Sequence, residues 1–87
     1  MLTPDCVALA NEVTLGILFS RRAVLPMHDV NRLCLRINSE GKGVMGISAY
    51  LAPNSVLLMG QGDTLNRYKA RLKEDVDETA NLRMHGG

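Results

Sequence analysis

The chain has 87 residues, a formal net charge of +1 and three aromatic residues, Phe19, Tyr50 and Tyr68, with no Trp. This length holds one small domain, which buries only about 60–65% of its unfolded surface and so has a thin core that association would supplement. The charge balance gives no electrostatic case for nucleic acid, where a basic stripe would be expected, and none for a polybasic membrane anchor, and three aromatics are too few for a base-stacking platform.

Residues 1–12, MLTPDCVALANE, read as an N-terminal extension. Thr3 and Pro4 are an N-cap and first position for a short helix, but Val7, Leu9 and Ala10 give it little apolar face. Asp5 and Glu12, with no basic run before them, speak against a secretory signal and a mitochondrial presequence. No apolar run reaches the roughly 18 residues that cross a bilayer. Cys6 and Cys34 form no CxxC pair and read as reduced thiols of an intracellular protein, with the cytoplasm as the expected compartment.

Val13 to Ser20, VTLGILFS, reads as the first strand. Val13, Leu15, Ile17 and Phe19 share one face, and Thr14, Gly16, Leu18 and Ser20 the other. Leu18 makes the second face partly apolar, which predicts a central strand. Gly16 weakens the strand and marks a close approach of a neighbouring backbone or a ligand. Arg21 and Arg22 follow. An anion site at the strand's end is one reading of them, and solvated charge is the preferred one.

The first helix is predicted from Met27 to about Asn38. Val30, Leu33, Cys34 and Ile37 fall at i, i+3, i+4 and i+7, a helical stripe. Gly41 and Gly43 stand where a left-handed terminator belongs. His28, with Asp29 beside it, makes neither a metal site nor a catalytic dyad alone.

Gly43 to Gly62, GVMGISAYLAPNSVLLMGQG, reads as a hairpin and as the apolar centre of the chain. Ile47, Ala49 and Leu51 alternate with Ser48 and Tyr50. Pro53, Asn54 and Ser55 supply the turn, with an Asn that tolerates the left-handed region. Asp63 is a predicted N-cap for a second helix from Thr64 to about Asp75. Leu65, Tyr68, Leu72 and Val76 form its stripe, and Arg67, Lys69, Arg71, Lys73 and Glu74 its solvated side, with Arg67 and Arg71 repelling slightly. Ala80 to His85 reads as a polar edge strand with Leu82 and Met84 on one face.

The order strand, helix, strand, strand, helix, strand is the split βαβ pattern. The expected fold is α+β and ferredoxin-like, βαββαβ, over residues 13–87: a four-stranded antiparallel sheet with two helices on one face. An apolar patch on the opposite face would argue for association.

From Val13 to about Leu82 the chain resembles the BLUF family, blue-light sensors that bind flavin on a ferredoxin-like fold. ILFSRRA (Ile17 to Ala23) resembles that family's first strand and its Ser-Arg-Ala turn. Asn38-Ser39 and GVMG (Gly43 to Gly46) resemble its first-helix end and the Gly-Ile-Thr-Gly that leads into strand two. GISAYL and VLLMGQG are similar to its second and third strands, the third ending in Glu-Gly in the family. The segment from Leu65 to Asp75 is similar to its following helix.

The resemblance implies a flavin site whose photochemistry needs a strand-one tyrosine and a strand-three glutamine. Leu18 and Leu58 stand at those positions, and neither can exchange the hydrogen bonds required. Of the two flavin-holding asparagines only Asn38 is kept, with Ser39 at the second. The resemblance therefore implies a BLUF-like domain without photochemistry. Asn38 is the cofactor-binding candidate if a vestigial flavin site exists, lined by the strand faces around Leu18 and Leu58, and no cofactor is expected.

The expected function is a non-catalytic protein–protein interaction or structural subunit, in an oligomer or larger assembly. The expected partner is a protein or a second copy, with neither nucleic acid nor membrane. Alternatives are a flavin-binding domain without photochemistry and a ubiquitin-like modifier using Gly86-Gly87. The second resembles ubiquitin only over NLRMHGG, after a polar segment where that fold has a strand. An acyl-phosphate hydrolase using Arg21 or Arg22 is a weaker reading, because no glycine-rich loop stands at a helix N-terminus.

Overall fold

The structure, a computed structural model, describes residues 13–85; the expected extension at 1–12, with Cys6, and the Gly86-Gly87 tail lie outside them. Six elements follow in the expected order: β1 Val13–Ser20, α1 Met27–Ser39, β2 Met45–Ala52, β3 Ser55–Gln61, α2 Thr64–Asp75 and β4 Ala80–His85. The four strands form one antiparallel sheet in the order β2-β3-β1-β4. The fold is α+β and ferredoxin-like, with β1 central and β4 on an edge. No helix of the described residues is long and apolar enough to cross a membrane.

The core lies between the sheet and the two helices. α1 contributes Val30, Leu33, Cys34 and Ile37, and α2 contributes Leu65, Tyr68 and Leu72, all buried as their helical spacing requires. The strands contribute Leu18, Met45, Val56, Leu58, Ala80 and Leu82. Each large apolar side chain buried here contributes about 1.5–3 kcal/mol. Tyr68 keeps its ring in the core because its hydroxyl donates to the Val30 carbonyl at 3.0 Å.

β1 buries the face that looks the poorer on paper. Gly16, Leu18 and Ser20 face the helices, while Ile17 and Phe19 point to the open side. Gly16 explains part of this choice. A Cβ there would lie 2.9 Å from Leu82 Cδ1 and 3.3 Å from Leu65 Cδ1, so β4 and α2 side chains close over it. A neighbouring backbone or a ligand is the expected neighbour at Gly16; the closest atoms are instead the Leu82 and Leu65 side chains.

Several local expectations are corrected. The hairpin is not the apolar centre: register shifts after Ile47 and after Tyr50 break the alternation of β2, and its far half is exposed. Ser48 and Leu51 are the extra residues, so Ala49 pairs with Leu57 and Tyr50 with Val56. Asn54 does not enter the left-handed region; among the described residues, Gly41, Gly43 and Gly62 have positive φ. Instead the hairpin tip is tied to the end of β1. Ser20 N–H donates to the Asn54 carbonyl at 3.0 Å, and Asn54 Nδ2 donates back to the Ser20 carbonyl at 3.1 Å.

Asp63 does not cap α2 through its side chain. Its carboxylate accepts from Arg67 Nε at 3.2 Å, while Thr64 Oγ1 donates to the Gln61 carbonyl at 2.8 Å. Arg67 is not on a solvated side. Its side chain is 20% exposed and also meets the Glu40 carboxylate and the Lys42 carbonyl, so it joins the start of α2 to the loop after α1.

Candidate functional site

Four strands alternate their side chains, so a sheet covered by helices on one side leaves its other side open. On that open side β1 places Val13, Leu15, Ile17 and Phe19. The register sets Leu57 and Met59 of β3 beside Ile17 and Leu15, and Asn81 and Arg83 of β4 beside Phe19 and Ile17. Ala49 of β2 stands beside Leu57. Ile17 is 38% exposed, Phe19 37% and Met59 45%. No acidic residue occurs in any of the described strands. Arg83 is exposed at the β4 edge.

The same face holds an open groove of about 330 Å³, lined among others by Val13, Val44, Gly46, Ser48, Met59 and Gln61. Gly46 is one of its lining residues, and a Cβ there would meet none of the described residues within 4 Å. The face is therefore a largely apolar surface with a depression. It offers van der Waals area, and no described acidic group or nucleophile converges on it.

The positions singled out by the family resemblance lie on the covered side. Leu18 and Leu58 are both 0% exposed and belong to the one apolar cluster that fills the space between sheet and helices. Asn38 is half-buried near the end of α1. Its Oδ1 accepts from the Met45 N–H at 2.7 Å, and its Nδ2 donates to the Met45 carbonyl at 3.0 Å. Residues 44 and 61 pair across β2 and β3, so the backbone groups of Met45 point away from β3, toward the sheet edge. Asn38 thus acts as a neighbouring strand would at that one residue. Ser39 Oγ donates to the Arg36 carbonyl at 2.6 Å and closes the helix end.

A polar cluster that the sequence reading missed joins β1 to the start of β4. Ser20 Oγ donates to Asp77 Oδ2 at 2.8 Å and lies 2.9 Å from Thr79 Oγ1. Asp77 Oδ1 accepts from Thr79 N–H at 2.9 Å and from Thr79 Oγ1 at 3.0 Å. Arg22 Nε lies 3.4 Å from the same oxygen, so Arg22 is paired, and Arg21 is exposed. The Thr79 N–H, then the Ser20 hydroxyl, hold the Asp77 carboxyl below its usual range. Every member has a partner, which makes this a staple rather than a reaction centre. An Asp-x-Thr turn before a strand is a local signal; its partner Ser20 is 57 residues away and has none.

The remaining candidates are accounted for singly. Cys34 is buried, and burial pushes its thiol up to about 11. His28 is exposed, and Asp29 beside it pairs with Arg32 at 2.7 Å. Among the described residues no group of three His, Cys, Asp or Glu side chains is placed to hold a metal ion.

No protein-family model and no curated protein matches the chain. The crystal structure of FabD from Acinetobacter baumannii is similar in fold, with a TM-score of 0.69 at 17% identity over 88% of this chain. The chain spans 22% of that protein's length. At this identity the likeness concerns the fold alone.

Proposed function

We propose that the chain is a non-catalytic binding or structural subunit, a BLUF-like domain that works through the open face of its sheet. One observation carries this reading. The face left uncovered by the helices is the more apolar side of β1, extended by Leu57 and Met59. Contiguous exposed apolar patches larger than a few hundred Å² mark interaction sites on soluble domains. The core side supports the same reading, because Leu18 and Leu58 close the space in which a flavin ring would lie and Asn38 spends its amide on Met45.

The test places a lysine in the centre of the face. Ile17→Lys leaves the core side of β1 untouched and puts a charge in the apolar patch. Native mass and affinity capture of the wild type and this variant are compared. Loss of an assembly or partner in the variant, with an unchanged circular dichroism spectrum, supports the reading. Equal behaviour of the two proteins refutes it. An absorbance scan of the purified protein tests the flavin alternative directly: a flavin band near-stoichiometric with protein would replace the reading proposed here.

A further inference from the structure

We draw no further inference here: the strongest candidate, the apolar open face of the sheet around Ile17, Leu57 and Met59 with its groove at Gly46, belongs to the site already described, and nothing in the structure shows what covers it.

Discussion

Placing at Leu58 the glutamine that the BLUF resemblance would put there tests whether the covered side of the sheet is a filled core. Leu58 is 0% exposed in the apolar cluster formed by β1, β3 and both helices. Leu58→Gln forfeits about 2–3 kcal/mol of apolar burial. It also buries an amide among Leu and Val side chains, which costs about 1–3 kcal/mol if the amide stays unpaired. The sum is about 3–6 kcal/mol. A domain of this size has roughly 4–13 kcal/mol in all. The variant should therefore lie near the edge of folding. Urea unfolding followed by circular dichroism would show the midpoint collapse, while Leu58→Met, close in volume, should lose less than about 1.5 kcal/mol. A Leu58→Gln protein with the wild-type midpoint would refute the reasoning. It would mean that polar partners or free space lie beside residue 58, as a cofactor pocket would provide.

Three further outcomes are expected. Gly60→Ala should cost about 2–4 kcal/mol, because its Cβ would land on the buried, β-branched Thr64 and 3.0 Å from Met45 Cβ; Gly46→Ala should cost nothing or stabilise by up to about 1 kcal/mol, and thermal melts of the pair check both. Asn38→Ala should lose about 1–3 kcal/mol with the two bonds to Met45, and hydrogen exchange should show the Met45 amide losing protection while the β1 amides keep theirs. Asp77 has a lowered folded-state pKa, so its contribution is fully present above the ordinary carboxylate value of about 3.9 and is lost as pH falls through the folded value; Asp77→Asn should be less stable than wild type at pH 7, and the gap in melting temperature should narrow below about pH 4.

Periodicity alone decided most of the architecture. The i, i+3, i+4, i+7 stripe of Val30, Leu33, Cys34 and Ile37 has one solution, a helix with that side buried, and the structure buries all four. The element order and the ferredoxin-like topology followed from such local signals, as did the glycine terminator after α1, where Gly41 and Gly43 have positive φ. The candidate site was legible only in part. The two faces of β1 could be listed from the sequence, but which of them the helices cover could not. Composition favours burying Val13, Leu15, Ile17 and Phe19. The helices instead cover Gly16 and Leu18, because Leu65 and Leu82 close over the space that Gly16 leaves.

The pairings over long sequence distance belong to the tertiary structure for the same reason. Asn38 looked like a residue kept for a cofactor, and folding sets its amide against the edge of β2 at Met45. Ser20, Asp77 and Thr79 carry no shared motif, and only the β1–β4 pairing brings them together. Local patterns specify which backbone forms where, since they act through neighbouring residues. The surface that remains outside depends on how two helices and four strands share one small core. That is a property of the whole packed chain and of no segment within it.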